Sequence, residues 1–330
     1  MSTSVRRNQL SGPHDPAPAA GWVDPPPRKG FFTDTSVCIG CKACEVACKE
    51  WNMLPMDGLA LTGESYDNTG ALGANTWRHV AFVEQGPAQA ARARESGRAL
   101  VSLGMPALRP ASEQGYAAQP AAAVTDVAEP PDFRWLMASD VCKHCTHAAC
   151  LDVCPTGALF RTEFGTVVVQ DDVCNGCGYC VPACPFGVIE RRESPDMTGA
   201  RIAKDDGIAQ KCTLCYDRLE VGEEPACAKA CPTESIQFGD LDEMRRRAEE
   251  RVRVLHGQGH TEARTYGADP TDGVGGTGSV FLLLDDPEVY GLPPDPVVTT
   301  HDLPDIFRKA GLAGLAMLGA AALSFLGRRS

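Results

Sequence analysis

All 16 cysteines of this 330-residue chain fall into four tight groups, and no other feature restricts its fold as much. The first is Cys38, Cys41, Cys44 and Cys48, spaced C-x2-C-x2-C-x3-C. The second is Cys142, Cys145, Cys150 and Cys154, spaced C-x2-C-x4-C-x3-C. The third, Cys174, Cys177, Cys180 and Cys184, repeats the first spacing. The fourth is Cys212, Cys215, Cys227 and Cys231, spaced C-x2-C-x11-C-x3-C. Pro155, Pro185 and Pro232 follow the last cysteine of the second, third and fourth groups, and Lys49 takes that place in the first.

Three chemistries compete for cysteines so arranged. Disulfides belong to small secreted domains, and thiols two or three residues apart cannot bridge within a group without strain. Zinc uses paired C-x2-C units at one tetrahedral ion. A C-x2-C-x2-C run closed by C-P has a more specific meaning: it is the bacterial ferredoxin run, in which three thiolates hold one [4Fe–4S] cube and the fourth reaches a second. A cube takes four soft thiolates at its corners. A short loop wraps three corners, with Gly40, Gly176 and Gly178 suited to its tight turns. After the third cysteine a helical turn points the fourth away from its own loop, and the proline ends that turn.

Sixteen ligands taken four at a time predict four [4Fe–4S] clusters. The second and third groups are close in sequence, separated by the strand-like run 165–170, and read as one two-cluster module. Exchange of fourth ligands puts Cys142, Cys145, Cys150 and Cys184 on one cube and Cys154, Cys174, Cys177 and Cys180 on another. The first and fourth groups then pair across the intervening chain. That gives Cys38, Cys41, Cys44 and Cys231 for a third cube, and Cys48, Cys212, Cys215 and Cys227 for the fourth.

The runs Cys38-Ile-Gly-Cys-Lys-Ala-Cys-Glu-Val-Ala-Cys48, Asn175-Gly-Cys-Gly-Tyr-Cys180 with Cys184-Pro-Phe-Gly187, and Lys211-Cys-Thr-Leu-Cys-Tyr-Asp-Arg218 with Glu224-Pro-Ala-Cys227 carry a family resemblance. The chain resembles the four-cluster iron–sulfur (beta) subunits of molybdopterin oxidoreductases over about residues 30–80 and 133–242. Tyr290-Gly-Leu-Pro-Pro-Asp-Pro296 is similar to the formate dehydrogenase branch. The resemblance implies a non-catalytic electron-transfer subunit. Its partners would be a molybdopterin-containing catalytic subunit and a membrane cytochrome b that passes electrons to quinone. Some relatives replace one ligand and carry a three-iron cube; cysteine stands at all 16 positions here.

The fold class expected is α+β: loop-rich tandem bacterial-ferredoxin-like modules with a C-terminal single helix. Residues 1–30, rich in Pro, Ala and Gly, read as a mobile arm, and no apolar stretch follows Arg6-Arg7 as an export signal would require. Residues 31–242 form the four-cluster domain, interrupted by an insertion at 84–131 rich in Ala, Pro and Arg with little periodicity. Flanking segments 77–83 and 133–138 read as strands. Residues 243–304 hold the rest of a helix, a linker and a strand. The helix runs from Asp240 to Leu255 with Leu241, Met244, Ala248, Val252 and Leu255 on one face, Asp240 and Glu243 as a capping box, and an arginine-rich solvated face. Gly273-Val-Gly-Gly-Thr-Gly278 lacks the strand and helix of a nucleotide loop and reads as a flexible linker. Residues 305–330 form a transmembrane helix. Ala310–Gly327 is 18 residues without a charge, spanning about 27 Å, enough to cross a hydrocarbon core.

The net charge of −12 makes nucleic acid a poor ligand. His144 and His147 lie beside the second cysteine group, either as zinc-like ligands or as neighbours that tune a cube or face a partner. Lys42, Lys143, Lys211 and Lys229 are read as surface lysines or as charges that raise a cube's potential. Two other functions stay open: the same wire serving a sulfoxide, tetrathionate or hydrogenase system, and a free-standing polyferredoxin.

Overall fold

The structure is a computed structural model that describes residues 17, 20–57, 63, 66–67, 69–102, 133–193, 205–298, 300 and 303–326. Most of the expected N-terminal arm with Arg6 and Arg7, the insertion from 103 to 131, and Arg328-Arg329 lie outside these residues.

The described elements follow in chain order as β1 (Lys29–Asp34), α1 (Ala43–Trp51), β2 (Arg78–Gln85), α2 (Pro87–Ser102), β3 (Arg134–Val141), α3 (Ala149–Asp152), β4 (Leu159–Arg161), β5 (Val167–Val169), α4 (Cys180–Ala183), β6 (Glu190–Arg191), β7 (Ala209–Gln210), α5 (Tyr216–Glu220), α6 (Ala226–Lys229), β8 (Ile236–Asp240), α7 (Leu241–Gly257), β9 (Arg264–Tyr266), β10 (Ser279–Leu283), a 3-10 turn (Pro287–Tyr290) and α8 (Leu303–Leu326). Helices and strands mix, as expected for an α+β chain.

One four-stranded sheet, ordered β8-β1-β10-β9, organises the molecule. β1 runs antiparallel to β8 and parallel to β10, with Phe31 opposite Ser279. Side chains alternate across a strand, so β1 and β10 serve two cores. Phe31, Phe281 and Leu283 face a core that contains Cys44, Cys142, Cys212 and Cys227. Phe32, Val280 and Leu282 face the other side, against Leu241, Met244, Ala248 and Leu255 of α7. Burial on both faces explains the unbroken apolar run of β10.

The sheet corrects the linker reading. Strands from both sides of residue 242 share it, and residues 273–278 pack against the second cysteine group. His147 N donates to Val274 O (2.8 Å), Thr146 N to Gly276 O (3.0 Å) and Gly278 N to Lys143 O (2.8 Å). Local composition suggested a linker because these partners lie about 130 residues away.

Other elements also differ from expectation. Residues 84 and 85 belong to β2, and 87–102 form a helix that starts at Pro87, a residue preorganised for a first turn. The capping box at α7 does not form. Asp240 instead accepts a hydrogen bond from Lys29 Nζ (2.5 Å), and Glu243 pairs with Arg246 and Arg247. The arginine face is not uniformly solvated: Arg251 Nε donates to Asp34 Oδ2 at 2.8 Å.

The strand expected at 165–170 is β5, paired with β4 between the second and third cysteine groups. β2 and β3 form an antiparallel ribbon with Arg78 opposite Val141. The 24-residue α8 is about 36 Å long, and its large apolar side chains, Leu312, Leu315, Met317, Leu318 and Leu323, are exposed.

Candidate metal centres

The four cysteine groups share one backbone device. The residue just before the second cysteine of each C-x2-C is left-handed: Gly40 (φ 66°), His144 (43°), Gly176 (72°) and Leu214 (61°). This conformation turns the loop so that successive thiols face inward. Glycine adopts it freely, whereas a side chain pays about 1–2 kcal/mol. The surroundings hold the two costly cases. Leu214 is 1% exposed in the main core, and His144 Nδ1 accepts a hydrogen bond from Val167 N (3.1 Å).

The loops meet in pairs. Cys38, Cys41, Cys44 and Cys231 line one cavity, with about 290 Å³ of atom-free space, open solvent at its mouth included. Cys142, Cys145, Cys150 and Cys184 line another of about 370 Å³, counted the same way. Cys48 has the thiols of Cys212, Cys227 and Cys215 as ionisable neighbours. Cys180 has Cys174, Cys177 and Cys154. The first and fourth groups are held together by the β1–β8 pairing and by α1, whose Trp51 donates to Asp217 Oδ2 (2.8 Å) and lies under the Arg218 guanidinium (4.2 Å). The β4–β5 hairpin and the packing of α3 on α4 do the same for the second and third groups.

The thiols sit in surroundings suited to bound metal. Burial pushes Cys44 and Cys215 up to about 11 and Cys150 up to about 12, and it holds Cys48, Cys145 and Cys212 well above the ordinary thiol value. Such thiols ionise only when a cation compensates them. Cys154 is the exception. Burial raises it, but the amides of Leu159, Thr156 and Ala158 and the Thr156 hydroxyl pull it below its ordinary value. Hydrogen-bond donors reach other sulfurs: Leu214 N to Cys212 Sγ (3.3 Å), Asn52 Nδ2 to Cys48 Sγ (3.6 Å) and a contact of Ser139 Oγ with Cys44 Sγ (3.2 Å). Donors of this kind set a cluster's potential.

The four lysines separate into two kinds. Lys229 is exposed, and Lys42 is partly exposed and paired with Asp67 (3.1 Å) and Glu45 (3.4 Å). Lys143 and Lys211 are only 1% and 2% exposed, and both line the cavity of Cys142. Lys143 pairs with Asp140 and lies over Phe281, while Lys211 donates to the carbonyls of Val167 and Cys212. His144 and His147 are buried rather than turned to a partner. Burial, then the nearby Lys211, Arg28 and Arg161, hold His144 far below its ordinary pKa, so its ring is neutral. The sequence does not point to Arg78 and Ser139, which sit on β2 and β3: Ser139 Oγ meets Cys44 Sγ across 95 residues of chain, and Arg78 bonds that same hydroxyl.

The donor set fits multi-iron clusters better than single ions. Among the described residues no three Cys, His, Asp or Glu side chains converge as one zinc ion requires. The thiols instead ring two cavities, Cys38, Cys41, Cys44 and Cys231 around one and Cys142, Cys145, Cys150 and Cys184 around the other, as the four corners of a cube require.

Comparison with known proteins agrees with this geometry. Residues 37–158 and 133–241 each match a 4Fe-4S dicluster domain. The formate dehydrogenase iron-sulfur subunit of Haemophilus influenzae is 38% identical over 269 residues, 80% of this chain and 68% of that protein. The formate dehydrogenase-O iron-sulfur subunit of Escherichia coli is 33% identical over 325 residues, 97% of this chain and 88% of that protein. The B subunit of the anaerobic dimethyl sulfoxide reductase of Escherichia coli is 30% identical over 218 residues, 66% of this chain and 76% of that protein. With dicluster domains over its cysteine-rich region and similarity running nearly end to end, the chain belongs to the family of formate dehydrogenase iron–sulfur subunits.

Proposed function

We propose that this chain is the non-catalytic electron-transfer subunit of a formate dehydrogenase. It conducts electrons through four [4Fe–4S] clusters from a molybdopterin-containing catalytic subunit toward a membrane cytochrome b and quinone. Cys38, Cys41, Cys44 and Cys231 hold the first cluster, and Cys48, Cys212, Cys215 and Cys227 the second. Cys142, Cys145, Cys150 and Cys184 hold the third, and Cys154, Cys174, Cys177 and Cys180 the fourth. Each bound cluster would accept and release one electron at a time.

One observation carries this reading: the thiol sets border one another in series. Cys44 of the first set neighbours Cys227 of the second. Cys212 of the second neighbours Cys142 of the third. Cys150 of the third neighbours Cys180 of the fourth. Cys41 and Cys177, in the terminal sets, are the exposed cysteines. An exposed cysteine in each terminal set supports electron exchange at the two ends of the series.

The membrane side rests on α8. Its Ile306–Ser324 stretch is long and apolar enough to cross a membrane, and none of it is buried in the rest of the chain. We assign it as a single span that packs on the cytochrome through small residues such as Ala310, Gly314, Ala316 and Ala320. A sulfoxide-type catalytic partner is the second reading, favoured only by the 30% identity to the sulfoxide reductase subunit over a shorter stretch.

Anaerobic purification of the full chain from native membranes tests the proposal. Four cubes require about 16 Fe and 16 acid-labile sulfides per chain, with no stoichiometric zinc. A molybdenum-containing, formate-oxidising subunit and a haem b subunit should co-purify. About eight irons would remove one pair of sets, and a molybdenum subunit that reduces sulfoxides instead would favour the second reading.

A further inference from the structure

Arg78 opens β2 with its side chain 1% exposed, making it one of the largest fully buried groups in the molecule. Its guanidinium lies over the Phe31 ring at 4.8 Å. Nη1 donates to Ser139 Oγ (2.9 Å) and Ser139 O (3.3 Å), and that same hydroxyl touches Cys44 Sγ at 3.2 Å. Nε and Nη2 are buried with no hydrogen-bond partner. Among the described residues no carboxylate pairs with Arg78.

A buried cation left without an anion is strongly unfavourable, so a chain that retains one has something negative in front of it. The ionisable groups facing Arg78 are Cys227, Cys44, Cys212 and Cys48. Cys44 belongs to the first proposed set, and the other three to the second. Arg78 therefore stands where the two sets meet.

We propose that Arg78 is a fixed positive charge shared by the first and second clusters, which favours the more negative, reduced state of both and holds their potentials up together. It exchanges neither electron nor proton; it acts as a positioning residue through the thiolates it faces. The proposal rests on the ligand sets of the preceding section. Arginine suits the place better than lysine, because its fork leaves two donor sites free after the bond to Ser139.

Redox titration followed by electron paramagnetic resonance on the intact complex tests this, with wild type, Arg78→Gln and Arg78→Lys compared. Signals of the two clusters are assigned beforehand as those altered in Cys44→Ser and Cys227→Ser. In Arg78→Gln both midpoint potentials should shift to more negative values while the other two clusters stay put. Arg78→Lys should restore most of the shift. Unmoved potentials in a fully loaded Arg78→Gln complex, or an equal shift in all four clusters, would overturn the proposal. If Arg78→Gln fails to retain iron, Arg78→Lys decides: near-wild-type potentials support the role of charge, and equal loss of iron refutes it. A wild-type complex lacking one of the two clusters refutes the ligand sets instead, so the two failures are told apart by the wild-type spectrum.

Discussion

Gly275 should be among the least replaceable glycines in the chain. It lies in the loop that hydrogen-bonds to residues 143–147, with φ at 71°. A β-carbon there would sit 2.4 Å from both Cδ2 and Nε2 of His147, whose ring is only 2% exposed and cannot swing aside into water. Gly275→Ala then carries two costs. A left-handed alanine costs about 1–2 kcal/mol. Forcing a buried ring to move costs about 1–3 kcal/mol more, as overpacking does elsewhere. Together they approach about 3 kcal/mol, and at tenfold per 1.4 kcal/mol that is roughly a hundredfold in the opening of the loop carrying Cys142 and Cys145. Gly259 supplies the control. Its φ is 91°, but nothing lies within 4 Å of the place a methyl group would take, so Gly259→Ala pays only the backbone cost. The assay is anaerobic decay of the cluster charge-transfer absorbance in mild denaturant with a chelator present. Gly275→Ala should bleach about ten to a hundred times faster than wild type, and clearly faster than Gly259→Ala. Equal decay of the two variants would refute the claim that the glycine loop clamps the second cysteine group.

Removal of metal should collapse the fold, because Cys44, Cys142, Cys212 and Cys227 are part of the main core; apoprotein prepared with a strong chelator should be cut rapidly by protease, and a resistant apoprotein would contradict this. Cys231→Ser should perturb the cluster bound by Cys38 and leave that of Cys212 intact, since Cys231 lines the cavity of Cys38; a changed resonance signal from the Cys212 cluster instead would break the proposed exchange. Deleting residues 308–330 should release the subunit from membranes with its iron content unchanged, because the apolar stretch of α8 is unburied and carries no cysteine; tight membrane binding of the loaded truncated chain would show that another surface anchors it.

What was legible in the sequence was what is encoded locally. Ligand spacing such as Cys174-x2-Cys177-x2-Cys180 is a property of a single loop, so its chemistry could be read directly. The same holds for α7, whose Leu241, Met244, Ala248 and Leu255 are one face of one helix. The failures were nonlocal. Arg78 looks like an ordinary residue on an alternating strand, and only the fold brings it to Cys44 and Cys227. Gly273–Gly278 has the composition of a linker and becomes structure through backbone bonds to residues 143–147. Asp240 has the makings of an N-cap but is taken by Lys29, more than 200 residues earlier. The helix of residues 87–102 was recoverable: Pro87 at the first turn, followed by Ala and Arg, is a helix start that the compositional label "insertion" concealed.

The parallel pairing of β1 with β10 gives the chain its most consequential nonlocal contact. Electron transfer needs a fixed distance between the two pairs of cysteine loops, because a gap that breathes interrupts transfer. β1 leads into Cys38 and pairs with β8, which follows Cys231, so this edge of the sheet belongs to the outer module. On its other side β1 pairs with β10, whose Ser279 Oγ donates to Cys142 O (2.9 Å), and the preceding glycine loop binds residues 143–147 of the inner module. The segment past residue 242 is thus a strut between the two modules. It is made of buried, two-faced strand and close backbone contacts rather than of long exposed side chains, and a close-packed interior of this kind has low compressibility and transmits strain. A glycine-rich sequence at this point therefore stands for rigidity, since only residues without side chains let the strut lie this close to the cysteine loop it holds.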